Sequence, residues 1–146
     1  MKVLELMKTH VIKTSPDATM RDAVDMMDLY QISGLPVVDV DGRLVGVVTE
    51  HDVIHSLLPN ASPAVVTSGS ALPADIHELV ERVKNLPVSE AMTTPAVSID
   101  ECADVLEAAT LMLSNRIKRL PVTSEGKLVG IISRIDVCQA VLEGHI

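Results

Sequence analysis

The sequence predicts an α/β chain made of two copies of one β-α-β-β-α unit, and three observations carry that prediction. The first is an internal repeat. Residues 35–58 (LPVVDVDGRLVGVVTEHDVIHSLL) match residues 120–142 (LPVTSEGKLVGIISRIDVCQAVL) once one residue of the longer first copy is skipped. The identical pairs are Leu35/Leu120, Pro36/Pro121, Val37/Val122, Gly42/Gly126, Leu44/Leu128, Val45/Val129, Gly46/Gly130, Asp52/Asp136, Val53/Val137 and Leu58/Leu142. The second is a Gly turn, Asp41-Gly42 and Glu125-Gly126, set between runs of Val, Leu and Ile, which signals a hairpin. The third is apolar spacing of three and four residues upstream of each hairpin, which signals a helix. A unit duplicated in this way cannot bury its apolar face alone and needs its sister. The two copies are therefore expected to be related by a pseudo-twofold axis, with small sheets packed face to face.

The elements follow in order. Val3-Leu-Glu-Leu-Met7 pairs with Val88-Ser-Glu-Ala-Met92, and each reads as a short helical turn. Brief extended segments follow at Val11–Thr14 and Ala96–Ile99. SerProAspAlaThr (15–19) supplies a turn and a cap for a helix running to about Gln31, with Met20, Ala23, Val24, Met27 and Ile32 on its apolar face. In the second copy Asp100 is the expected cap, before Val105, Leu106, Ala109, Met112 and Leu113. Leu35–Asp39 and Leu44–Thr49 form the first hairpin. Final helices are expected over Glu50–Leu58 and Arg134–Leu142. The repeats so read are residues 1–58 and 88–146, joined by an inter-repeat linker, 59–87. Within it, 59–74 is rich in Pro, Ser, Ala and Gly. Asp75–Leu86 reads as a short helix with Ile76, Leu79, Val80 and Val83 on one face, placed to cap the module or meet a partner.

Composition narrows the function. The chain has 146 residues, 47% of them apolar, yet Tyr30 is its one aromatic side chain, so the core must be built from Val, Leu, Ile, Met and Ala. Met7, Met20, Met26, Met27, Met92 and Met112 read as core filler at helical spacing. The net charge of −8 is spread along the chain. That distribution argues against nucleic acid, whose phosphates need clustered Lys and Arg. No apolar run reaches the ~18–20 residues of a membrane span, and the N-terminal stretch is too short and too charged for a signal peptide. A soluble, cytoplasmic protein is the expectation. Cys102 and Cys138 form no C-x-x-C motif; Cys138 takes the slot of Ile54 and reads as a buried thiol. His51 and His55 have the spacing of a metal-binding pair but lack a third ligand, so they read as solvated and no metal is expected. No catalytic triad order, paired carboxylates, G-x-G-x-x-G or P-loop is present.

The chemistry-bearing positions are GVVTEHD (46–52) and GIISRID (130–136). Each glycine stands where a strand begins, letting another backbone or a ligand come close. Thr49 and Ser133 fall at the strand–helix junction, and Asp52 and Asp136 one turn further on. This spacing serves either of two ends. It forms a capping box, with the hydroxyl at the N-cap and the carboxylate at the third helical position. It also suits a carboxylate aimed over the helix N-terminus to grip a vicinal diol such as ribose. One residue can do both.

The two signatures, V-x-E-x-M at each repeat start, SPDAT, ISGLPVVD, IKRLPV and the DG or EG turns together resemble a tandem pair of cystathionine-β-synthase (CBS) domains, also called a Bateman module. The resemblance covers both ends of the chain and leaves the middle linker unmatched. It implies adenosine derivatives held in clefts between two repeats, with Thr49 and Asp52, and Ser133 and Asp136, as two ribose-gripping pairs. It further implies that Ile12 and Thr14, Ser33, Gly34, Leu35 and Pro36, Val97 and Ile99, and Leu120 and Pro121 frame the adenine. Backbone groups and aliphatic walls would do that framing. If phosphates bind, the basic residues Lys118, Arg119 and Arg134 of the second copy are the candidates; the first copy has Ser33, Gly34 and Glu50 at those places.

The resulting expectation is a non-catalytic regulatory sensor, of the energy-sensing kind. Its ligand would be AMP, ADP or ATP, with S-adenosylmethionine or an NAD-type ligand sharing the same adenosine. It would act as a homodimer on an effector protein in trans. The alternative is a ligand-free dimerisation or scaffold module in which both aspartates are only caps.

Overall fold

The computed structural model describes residues 1–58 and 76–146, so the linker expected over 59–74 lies outside the described residues. The elements are α1 (Met20–Tyr30), β1 (Gly34–Val38), β2 (Leu44–Thr49), α2 (Glu50–Leu57), α3 (Ile76–Lys84), β3 (Ile99–Asp100), α4 (Val105–Ser114), β4 (Arg119–Ser124), β5 (Lys127–Ser133) and α5 (Arg134–Leu142). Single 3-10 turns, Val3–Glu5 and Val88–Glu90, stand where the repeat starts were read. The α/β class and the tandem repeat hold.

The chain divides into two compact units. One comprises Met1–Ile12, Val38–Leu44 and Pro95–Ile146; the other comprises Lys13–Val37 and Val45–Thr94. The start of each sequence copy therefore joins the unit built mainly from the other copy.

In the first unit, β3, β4 and β5 form one sheet, β3 parallel to β4 and β5 antiparallel to it. The alternation of β4 turns Leu120 and Val122 inward, and both are fully buried with Val3, Ile99, Ala108, Met112 and Ile132. The N-terminal turn belongs to this core. Val3 is fully buried, and its N–H donates to the Ala103 carbonyl at 2.8 Å. The hairpin turn needs positive φ at Glu125 (52°) and Gly126 (83°), a conformation that only glycine adopts freely.

The second unit buries Met20, Ala23 and Met27 of α1 together with Leu35, Val37, Val48, Leu79, Val83 and Val88. Thr19 caps α1 by accepting from the Asp22 N–H at 3.1 Å, as the SPDAT motif predicts. The short helix expected over Asp75–Leu86 is α3. It packs on α1 and α2 through Leu79 and Val83, while Ile76 and Val80 stay exposed.

Four expectations are corrected. The cap of α4 is Asp104, which accepts from the Leu106 N–H at 2.8 Å; Asp100 instead closes a turn onto the Cys102 N–H. The face of α4 that packs inward is Val105, Ala108 and Met112, which leaves Leu106 and Leu113 exposed. Val24 of α1 is likewise exposed, because Met20, Ala23 and Met27 already fill the buried stripe. Cys138 is exposed, as is Ile54 in the matching slot, since both sit on the outer face of a final helix. The leading strand of the first copy shrinks to one bridge, Thr14 to Val37, where the second copy has β3. The Glu101 N–H extends that second pairing by donating to Thr123 at 2.9 Å. Pro16 holds the matching place in the first copy and has no N–H to give.

Candidate functional site

Each unit carries one copy of the signature, built by the same local rules. In the first unit, Ser133 ends β5 in an extended conformation and caps α5. Its Oγ accepts from the Asp136 N–H at 3.3 Å, and Asp136 Oδ2 answers by accepting from the Ser133 N–H at 2.9 Å and hydroxyl at 2.7 Å. In the second unit, Thr49 and Asp52 repeat the arrangement at 3.3, 2.9 and 3.1 Å. Both are complete capping boxes, so both aspartates have one oxygen committed to the helix start.

The second carboxylate oxygen shows what the signature glycines are for. A Cβ on Gly130 would stand 2.6 Å from the Met7 sulfur and 3.0 Å from the Lys8 carbonyl oxygen; on Gly46 it would stand 2.8 Å from the Met92 sulfur and 3.0 Å from the Thr93 carbonyl oxygen. The glycine admits another backbone, and that backbone is the start of a repeat. Lys8 is then clamped to Ile131 by reciprocal N–H to carbonyl bonds of 2.8 and 2.9 Å, and Thr93 to Val47 by bonds of 2.8 and 3.1 Å. Lys8 and Thr93 are equivalent positions, each directly after the methionine of the starting motif. Lys8 Nζ donates to Asp136 Oδ1 at 3.0 Å, and Thr93 Oγ1 donates to Asp52 Oδ1 at 2.9 Å.

Electrostatics separate the two sites. Asp136 is 5% exposed and paired with an ammonium. Burial by itself would raise its pKa; the Ser133 hydroxyl, the Lys8 ammonium and the Ser133 N–H together outweigh burial and hold the carboxyl below its ordinary value. Asp52 is half-buried and meets only neutral donors.

The residues expected around the adenine divide into two kinds. Leu35, Leu120 and Ile99 are core side chains, so their backbone is the part left to face a ligand. Pro36 and Pro121 are buried as well, and Ile12 and Val97 are half-buried. Thr14 is 8% exposed, its N–H donating to the Pro36 carbonyl at 2.9 Å. Gly34 lies against Thr49: a Cβ there would meet the Thr49 methyl at 3.1 Å and the Val48 carbonyl at 3.2 Å. Backbone bonds set the flank of each signature. The Glu50 N–H donates to the Ser33 carbonyl at 3.0 Å, and the Arg134 N–H to the Lys118 carbonyl at 3.0 Å.

The expected phosphate cluster comes together only in part. Arg119 pairs with Ser133 across β4 and β5, and Lys118 lies next to it. Both side chains are exposed and make no hydrogen bond or ion pair among the described residues. Arg134 is differently employed. Its Nε donates to the Ile117 carbonyl at 2.9 Å and its guanidinium to the Met112 carbonyl at 3.3 Å, which ties the start of α5 to the end of α4 and the segment that follows it. Lys8 and Thr93 were missed in the sequence. The signal was there: they are the unlike residues that directly follow two otherwise matching V-x-E-x-M motifs.

His51 and His55 stack on α2 with ring centroids 6.0 Å apart and are exposed. Among the described residues no group of three His, Cys, Asp or Glu side chains is placed to hold a metal ion. Among the same residues no helix is long and apolar enough to cross a membrane.

Comparison with known proteins agrees with this architecture. The family model for the CBS domain matches residues 3–59 and again 83–143. The chain is 32% identical over 92% of its length to the chloroplastic CBS domain-containing protein CBSX1 of Arabidopsis thaliana, and spans 59% of that protein. It is 34% identical over 93% of its length to the inosine-5'-monophosphate dehydrogenase of Methanocaldococcus jannaschii, of which it spans 23%. Among solved structures, CBSX2 in complex with AMP superposes with a TM-score of 0.74 at 26% identity, covering 99% of this chain and 98% of that one.

Proposed function

Because the chain belongs to the CBS-domain family, as a tandem pair, we propose that it is a non-catalytic regulatory module binding an adenosine-containing ligand of the AMP, ADP or ATP type. One observation carries the reading. In each unit a carboxylate is fixed one turn into a helix by its own capping hydroxyl, with lone pairs left on an oxygen that already accepts from a side chain. A ligand diol can take up those lone pairs without rearranging the backbone. Lys118 and Arg119 beside the Ser133 signature supply cations for a phosphate. The AMP held by CBSX2, a structural neighbour of nearly equal length, supports the same ligand class.

The action proposed is a population shift: a ligand that prefers one arrangement of the repeats biases a homodimer, and an effector protein in trans reads the change. The acidic chain is placed in the cytoplasm. The inosine-5'-monophosphate dehydrogenase relative is an enzyme of which this chain spans 23%, so its chemistry is not carried over.

A ligand-free dimerisation module is the second reading, and one observation favours it: both aspartates already complete capping boxes. Isothermal titration of the full chain with AMP, ADP and ATP separates the two. Binding of at least one nucleotide, weakened about ten- to a hundredfold by Asp52→Ala or Asp136→Ala, is expected from the ~1.5–3 kcal/mol of a charged hydrogen bond. Heat-silent titrations, together with a melting temperature that no adenosine compound raises, would favour the scaffold.

A further inference from the structure

We propose that the residue following the methionine of each repeat start, Lys8 in one unit and Thr93 in the other, sets the charge of the ligand that each signature takes. The Asp136 site would take an anionic nucleoside phosphate, and the Asp52 site an uncharged nucleoside. The inference rests on the adenosine reading and assigns ligand chemistry within it.

The two sites share one backbone plan and differ in the side chain that reaches the carboxylate. In both, the signature glycine admits the starting segment, the backbone of that segment is clamped to the strand, and its side chain donates to the free carboxylate oxygen. The donors differ in kind. Thr93 brings a neutral hydroxyl, which donates to the Asp52 carboxylate without supplying a countercharge. A carboxylate of that kind accepts from the hydroxyls of a neutral sugar and repels a phosphate. Glu50, at the start of α2, adds a second negative charge, and among the described residues its side chain has no cation partner.

Lys8 brings an ammonium, so the pair with Asp136 is neutral in sum. A neutral diol then gains less from the carboxylate. The ammonium has three donors, of which Asp136 takes one, and the side chain is 66% exposed. Its remaining donors are open to an anion. Lys118 and Arg119 lie at the same end of β4, and the place held by Glu50 in the other unit is here held by Arg134. The whole surround of Asp136 is thus suited to negative charge.

The test exchanges the two residues. Full-length wild type, Lys8→Thr, Thr93→Lys and the double exchange are titrated calorimetrically with adenosine and with AMP. Lys8 and Thr93 are both exposed, and each variant is first shown to melt cooperatively. Wild type is expected to take adenosine at one site per chain. Lys8→Thr should weaken AMP at least tenfold and admit a second equivalent of adenosine. Thr93→Lys should weaken adenosine at least tenfold. The double exchange should recover one site of each kind. AMP affinity within twofold of wild type in Lys8→Thr, with adenosine still at one equivalent, would overturn this inference and leave the adenosine reading standing. No binding of either compound to wild type would remove both.

Discussion

The signatures around Asp52 and Asp136 share backbone, cap and glycine, and differ in the donor that reaches the second carboxylate oxygen. That comparison separates what the fold requires from what a site can vary. The capping box is required: a helix beginning straight from a strand leaves N–H groups unsatisfied, and Thr49 with Asp52, or Ser133 with Asp136, satisfies them reciprocally. The glycine is required because a repeat start passes within van der Waals contact of it. The donor arriving on that segment is not required by either, and there the copies diverge into an ammonium and a hydroxyl.

The largest expected effects test the shared part. Gly46→Ala and Gly130→Ala each place a Cβ 3.0 Å from a backbone oxygen and closer still to a methionine sulfur. The sulfur can move, but the carbonyl is clamped into a pair of hydrogen bonds. Each substitution should destabilise by about 1–3 kcal/mol, the range for overpacking a filled site, measured by urea denaturation. The two losses should agree to within about 1 kcal/mol, a difference comparable to the context dependence of such sites. A neutral effect at one position alone would break the equivalence of the two crossings.

Neutralising the carboxylates should give losses no larger than these, and unequal. Asp136→Asn removes a buried charge that accepts from Ser133 twice and from an ammonium, and it leaves that ammonium facing an amide. About 1–3 kcal/mol is expected, the range for a charged group losing its bonds. Asp52→Asn removes a half-buried charge held by neutral donors, and about 0.5–1.5 kcal/mol is expected. Equal losses in thermal denaturation would mean that Lys8 contributes nothing to the difference.

Much of this was legible in the sequence, for local reasons. Hairpins declared themselves through Asp41-Gly42 and Glu125-Gly126, because positive φ has a residue signature. The capping box was legible because its two partners stand three positions apart in the sequence. Periodicity placed α1 and α4 but not their sharp faces: Leu106 and Leu113 fit a helical stripe, and only the packing of Val105, Ala108 and Met112 into the core shows that they point outward. The partners of the carboxylate oxygens were not legible. Lys8 lies 128 residues from Asp136, and Thr93 lies 41 from Asp52. Each start segment serves the unit of the other copy, an exchange that sequence alignment of the two copies cannot reveal because it pairs like with like. Arg134 shows the converse limit. Its charge suggested a phosphate, whereas geometry gives it to the carbonyls of Met112 and Ile117.

The smallest effect is the most diagnostic of the difference between the sites, because only one of them has a charged donor. The Asp136 carboxyl is held below its ordinary value of 3.8 in the folded chain. A group depressed on folding stabilises the protein above its unfolded pKa, and that contribution is lost as pH falls through the folded one. Lys8 is among the causes of the depression, so Lys8→Thr should let the folded value rise towards the ordinary one, and acid unfolding should begin at a higher pH. Lys8 is largely exposed, and solvent screens the pair, so the change in stability above the transition should stay below about 1 kcal/mol. Melting temperatures of wild type and Lys8→Thr between pH 2 and 6 read this directly, with the curves furthest apart above the ordinary value and converging as pH falls through the folded one. Thr93→Val in the other unit deletes a donor of no charge, so it supplies the control. If it moves the acid limb as far as Lys8→Thr does, the limb reports hydrogen bonding in general, and the ammonium loses its claim to distinguish the Asp136 site.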